Sequence, residues 1–160
     1  MKQEISFVIQ GDPEGKERPK FSRRNHRINT YTPQRTHNYE DLVRYQAVFA
    51  RNEQGITEPV NKPCSIKIKA CFKVPKSYSK RDRELCLSGK KRPSKTPDSD
   101  NIAKIILDGM NPKKKTNRML HKKVVVKEGF FDDDKQVIDL SVGKWFAKDP
   151  HVEVVVSWEE

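Results

Sequence analysis

Cysteine is scarce in this chain, and Cys64, Cys71 and Cys86 form an odd set with no C-x-x-C spacing. That composition offers neither a disulfide framework nor a cysteine-based zinc motif, and it points to a reducing, cytoplasmic setting. His26, His37, His121 and His151 are scattered without metal-ligand spacing, so they read as exposed or DNA-facing residues and zinc is not expected. Long apolar runs are missing as well. None approaches the roughly 20 residues that a spanning helix requires, and the opening MKQEISFVIQ lacks the apolar core of a secretory signal, so a membrane role is excluded. Neither a Walker loop nor a G-x-S-x-G turn occurs, which argues against a nucleotide cofactor and against esterase chemistry. Acid is the minority charge, with 22 Asp and Glu against 33 Lys and Arg and a net charge of +11.

That surplus favours polyanionic partners, because each phosphate contact releases condensed counterions. Nucleic acid is the leading partner, against the plainer reading of a protein that is merely basic. The 160 residues suit one compact domain spanning residues 1–160, with one core and not two. Hydrophobic and charged residues each make up 34%, so the core is modest and the surface dense with charge.

Apolar periodicity places the elements. Residues 4–10 set Ile5, Phe7 and Ile9 on one side of a strand. From Gly11 to Pro33 the chain is rich in Gly, Pro and basic residues, among them Lys16, Arg18, Lys20, Arg23, Arg24 and Arg27, and reads as a basic loop with short extended pieces. Phe21 and Tyr31 flank it, placed either to stack on unpaired bases or to anchor the loop to the core. Thr36 is a candidate N-cap for an amphipathic helix reaching about Asn52, and Ser65–Phe72 alternates as a strand. Residues 76–95 begin with a serine-rich cap and a short charged helix before a second basic stretch. The segments DLSVGKWF and HVEVVVSW alternate in a way that suits adjacent antiparallel strands. The sum is an α+β fold, a small mixed sheet with helices packed on one face.

The most informative segment is TPDSDNIAKIILDGM, residues 96–110. Pro97 and Asp98 lead into a helix whose apolar side is Ile102, Ile105, Ile106 and Gly109, while Asp100, Lys104 and Asp108 recur at four-residue intervals on another face. Such a ladder alone is ordinary salt-bridge decoration. A second acidic group, Asp132, Asp133 and Asp134, changes the balance, since three adjacent carboxylates repel unless solvated or neutralised by a cation. Mg²⁺ takes one or two carboxylates and keeps water and substrate phosphate in its other positions. Asp98, Asp100 and Asp134 could supply that site for phosphodiester hydrolysis, with Lys104 adding positive charge opposite the developing anion.

PDSDN-x-x-K followed by GFF-x-DD-x-QV resembles the paired signature of RusA-type Holliday junction resolvases, especially phage and prophage members. GDPEGKERPKF, YTPQRT-x-x-YE and VPKSYSK occur in matching order, so the resemblance covers most of the chain. It implies an α+β homodimer that nicks four-way junctions symmetrically in DNA recombination and repair, with Mg²⁺ as cofactor and Mn²⁺ as a substitute. Its catalytic aspartates fall on Asp98, Asp100 and Asp134 and its catalytic lysine on Lys104, with Asp133 a neighbouring acid and secondary metal candidate. One departure is a basic insertion at about 111–128, between Met110 and Gly129, with Lys113, Lys114 and Lys115 at its start. It reads either as a DNA-contacting hairpin or as a solvated loop, and a displacement of Asp134 by it would abolish cleavage while sparing DNA binding. Lys16, Arg18, Lys20, Arg23, Arg24 and Lys113–Lys115 are the expected DNA contacts. The alternative function is a non-catalytic branched-DNA-binding module, which would need no Mg²⁺.

Overall fold

A computed structural model describes residues 1–160. Its strands are β1 (Lys2–Gln10), β2 (Lys20–Arg24), β3 (Arg27–Tyr31), β4 (Cys64–Lys73), β5 (Lys113–Asn117), β6 (Lys122–Lys127), β7 (Val137–Ala147) and β8 (His151–Glu159). Three helices, α1 (Gln34–Glu53), α2 (Lys80–Leu87) and α3 (Ser99–Met110), intervene, and Asp134–Gln136 forms a single 3₁₀ turn. The fold is α+β. No helix is long and apolar enough to cross a membrane.

The main sheet has the order β1-β8-β4-β7. Period-two alternation decides which face is buried: Ile5, Phe7 and Ile9 of β1, Ile66, Ile68 and Ala70 of β4, and Val152, Val154, Val156 and Trp158 of β8 all enter one core. Val43 and Ala47 of α1 and Ile102, Ala103, Ile105, Ile106 and Met110 of α3 cover that face. The two helices approach closely because position 109 is glycine, where a Cβ would stand 2.6 Å from the Cβ of Val43.

Two expectations change. DLSVGKWF and HVEVVVSW become β7 and β8, but they are not hydrogen-bonded to each other, because β4 lies between them, parallel to β7 and antiparallel to β8. A long-range contact accompanies this arrangement: Gln136 donates its side-chain amide to the carbonyls of Val60 and Lys62, which holds the start of β7 beside the start of β4. The N-cap of α1 is Pro33, not Thr36. Proline presets its backbone at φ −55°, and its carbonyl accepts the amides of Thr36 and His37, so the helix starts three residues earlier.

The basic segments are hairpins. β2 pairs with β3 through a two-residue turn at Asn25 and His26, both with positive φ (51° and 62°), as a primed turn requires. The insertion forms the β5–β6 hairpin. Every residue of β2, β3 and β6 is exposed.

Candidate active site

The acid-bearing helix is framed from three sides. The extended segment Pro13–Lys16 runs along α3, with the Lys16 amide donating to the Asn101 carbonyl at 3.0 Å. Gly15 permits this, since a Cβ there would lie 2.7 Å from the Pro97 side chain. A depression lined by Pro13–Glu17, Arg35, Thr96–Asp98 and Asn101 opens at the start of α3. A second, near its end, is lined by Lys16, His37, Glu40, Asp41, Arg44, Asp108, Asn111 and Pro112–Lys114. Lys16 belongs to both.

Asp98 is the residue that precedes α3, yet its carboxylate makes no capping bond. Asp100 is exposed in the first turn. Lys104, with a side chain 58% exposed, leans toward the C-terminal end and pairs with Asp108 at 3.2 Å. Asp108 is shared, because Lys16 Nζ lies 3.1 Å from its other oxygen and also bonds to the buried Glu40. Partial burial by itself would lower the Lys16 pKa, but the hydrogen bonds and charges of Glu40 and Asp108 outweigh it and raise the pKa above the ordinary lysine value.

The second acidic group divides its labour. Asp133 caps the 3₁₀ turn, its carboxylate accepting from the Lys135 amide at 2.9 Å. That backbone bond, then the hydrogen bond to Asp134 and the charges of Lys135 and Lys114, hold its pKa below the usual carboxylate range. Gln136 completes the turn: its side-chain Oε1 accepts the backbone amides of Asp132 and Asp133. Asp134 is less committed. Its Oδ2 accepts from the side chain of Asn111 at 3.2 Å, and Arg44 in turn donates to the carbonyls of Asn111 and Asp108, supplying positive charge where the helix dipole of α3 is negative.

The insertion does not push this turn away from the helix. Phe130 donates its amide to the carbonyl of Met110 at 2.9 Å, closing the hairpin at its base, and a Cβ at Gly129 would lie 2.4 Å from that same carbonyl. Arg51, fully buried, clamps the exit through Gly129 and Glu128.

Even so, one chain does not gather Asp98, Asp100 and Asp134 into a single ligand sphere. At about 1.5 Å per residue, Asp100 and Asn111 stand roughly 16 Å apart along α3, and Asp134 is tied to the Asn111 end. The only three metal-capable side chains whose ligand atoms lie within 4.8 Å of one another are Cys71, His151 and Glu153, on the sheet.

Of the expected DNA contacts, Arg18, Lys20, Arg23, Arg24, Lys114 and Lys115 are exposed. Lys16 is held by acids of the groove, and Lys113 pairs with Asp41 at 3.2 Å. The sequence reading missed Glu40, Arg44, Arg51 and Asn111. Buried Glu40, Arg44 and Arg51 share a side of α1 with Tyr39, Val43 and Ala47, and charged residues interleaved with apolar ones at helical spacing were the available signal.

Comparison with known proteins bears on this geometry. Residues 10–118 match the family described as endodeoxyribonuclease RusA. That stretch takes in the Pro13–Lys16 segment, all of α3 and the first strand of the inserted hairpin, and the Asp132–Gln136 turn lies beyond it. An uncharacterized protein of Bacillus subtilis (strain 168), YqaN, is 32% identical over 154 residues, covering 95% of this chain and 94% of the relative.

Proposed function

Because the chain belongs to the RusA endodeoxyribonuclease family, we propose that it is a Mg²⁺-dependent, structure-specific nuclease that resolves four-way DNA junctions by paired phosphodiester hydrolysis. The observation that carries the reading is the contrast among the acids. Asp108 and Asp133 are engaged by cations or by capping, whereas Asp98 leaves its carboxylate unused at a helix start where a cap would employ it.

The donor set fits a hard cation: exposed carboxylate oxygens, with no sulfur or imidazole among them. Asp98 and Asp100 would hold it, in keeping with the one or two carboxylates that Mg²⁺ takes, and Mn²⁺ has the same preference for oxygen. When bound, the cation supplies an activated water and offsets charge growing on the phosphate oxygens. Lys104 adds positive charge at the groove. Its pair with Asp108 is worth only about 0.3–0.5 kcal/mol at an exposed (i, i+4) position, and Lys16 keeps Asp108 neutralised, so the Lys104 ammonium swings to a phosphate at little cost. Asp134, held by Asn111, serves as the third acid at the far end of the groove, with Asp133 fixing the turn that presents it. Arg18, Lys20, Arg23, Arg24, Lys114 and Lys115 bind the phosphate backbone, while Lys16 and Lys113 act from within the groove. Two symmetric cuts require two sites related by a twofold axis, hence a homodimer. The setting is cytoplasmic, in recombination and repair of cellular or phage DNA.

The test is cleavage of a labelled four-way junction and a matching linear duplex in Mg²⁺ or EDTA by wild type, Asp100→Asn and Asp134→Asn. Paired nicks confined to the junction, dependent on Mg²⁺ and lost in both variants, are expected. Tight junction binding with no cleavage under any condition would leave the alternative, a branched-DNA-binding module. Absence of both binding and cleavage would overturn the proposal.

A further inference from the structure

We infer that Cys71, His151 and Glu153 form a site for a divalent transition cation of borderline softness, Zn²⁺ or its analogues, independent of the acids on α3. Spacing in the sequence hides this set. The antiparallel register of β4 and β8 creates it, by placing Cys71 directly opposite His151, with Glu153 two residues further along β8.

The geometry matches the cation. His151 Nε2 lies 3.3 Å from Glu153 Oε2, and Cys71 Sγ lies 3.8 Å from the same oxygen. A tetrahedral ion with Zn–N and Zn–O near 2.0–2.2 Å and Zn–S near 2.3 Å has ligand–ligand edges of about 3.4 Å for N–O and about 3.6 Å for S–O. All three ligand atoms also lie within 4.8 Å of one another.

A second observation concerns the proton on His151. Its Nδ1 stands 2.8 Å from the Asp149 carbonyl oxygen, which can only accept, so Nδ1 carries a hydrogen. The other ring nitrogen, Nε2, faces Glu153 Oε2 at 3.3 Å, on the side where a cation would be held. A backbone carbonyl that orients a ligating imidazole through its other nitrogen is the usual outer-shell arrangement of a bound metal. The site also has an entry path, since His151 and Glu153 line a surface cleft with Val8, Gln10 and Ala147–Asp149, which leaves room for water as fourth ligand.

Cys71 is only 2% exposed. Burial first, and then the charge of Glu153, raise its thiol pKa, so metal binding expels the Sγ proton to solvent and tightens as pH rises. Lys69 Nζ is 3.9 Å from Glu153 and would yield that carboxylate to the metal. The bound ion would tie the start of β8 to the end of β4.

The experiment is titration of the metal-stripped full chain with Co²⁺ and Zn²⁺ in excess Mg²⁺, followed by absorption and calorimetry. One Co²⁺ per chain is expected, with a thiolate-to-cobalt charge-transfer band that disappears in Cys71→Ser, and Zn²⁺ should raise the wild-type melting temperature. His151→Gln, at a partly exposed position, should weaken Zn²⁺ binding by more than about 100-fold, beyond the 10- to 100-fold that loss of an outer-shell partner costs. Asp100→Asn should bind Zn²⁺ as the wild type does, which separates this site from the nuclease reading. Either no stoichiometric uptake or a spectrum unchanged by Cys71→Ser would overturn the inference.

Discussion

Replacing Lys16 by methionine tests whether the groove is organised by one ammonium. The side chains of Lys16, Glu40 and Asp108 are 23%, 11% and 18% exposed, and Nζ stands 3.1 Å from Asp108. At an effective dielectric constant of about 20, a charge pair at that distance attracts by roughly 5 kcal/mol before desolvation, and desolvation of the partners offsets most of it. Removing the cation strands Glu40 and leaves Asp108 only the exposed Lys104 as partner. Loss of one partner from a fully buried pair costs about 3–5 kcal/mol, and the residual solvent contact here reduces that to about 2 kcal/mol. With a urea slope of about 2 kcal/mol/M, the unfolding midpoint at pH 7 should fall by about 1 M. Asp108→Asn in the same chain should recover at least about 1 kcal/mol as a coupling energy. The raised Lys16 pKa gives the wild type stability that is fully present below 10.5 and lost as pH climbs through the higher folded value, so the defect should narrow at high pH. A loss under about 0.5 kcal/mol at pH 7, or one that does not vary with pH, would refute the reasoning.

Gly129→Ala should destabilise by about 2 kcal/mol or more, read from thermal or urea unfolding, because its Cβ would meet the Met110 carbonyl at 2.4 Å and neither backbone segment can yield cheaply. Asp133→Ala removes the cap of the 3₁₀ turn and should lower the urea unfolding midpoint at pH 7. Since the folded pKa is lowered from 3.8, the wild-type advantage should be present above that value and vanish as pH falls through the depressed one, so the two proteins should converge in acid unfolding curves. Changing Lys114, Lys115, Lys122 and Lys123 to glutamine should leave the melting curve intact, because these hairpin residues are exposed. Junction affinity should weaken with a salt slope flatter by about 0.9 per lost phosphate contact, and an unchanged slope would remove the hairpin from the DNA interface.

The sequence alone determined the strands and helices around the core and their buried faces, though not the β2–β3 and β5–β6 hairpins. Ile5, Phe7 and Ile9 alternate, and Ile102, Ile105 and Ile106 recur at helical spacing, because burial of apolar surface acts on every turn or pleat and leaves its period in the residue order. The same local logic marked Pro97 and Asp98 as the lead into α3 and a serine-rich cap before α2, where the Ser79 hydroxyl accepts from the Asp82 amide. Only the tertiary structure decided what the elements do to one another. β4 separates β7 from β8 by pairing along its length with both, and Gln136 grips the Val60–Lys62 strand entry from more than 70 positions away. That the insertion stands out as a closed hairpin depends on a backbone bond from Phe130 to Met110 and on buried Arg51. The separation of Asp134 from Asp98 and Asp100, and the meeting of Cys71 with His151, are likewise products of packing and strand register. Hydrogen-bond partners and register are set by three-dimensional closure, and pairings across a sheet or a groove leave no periodicity for the sequence to display.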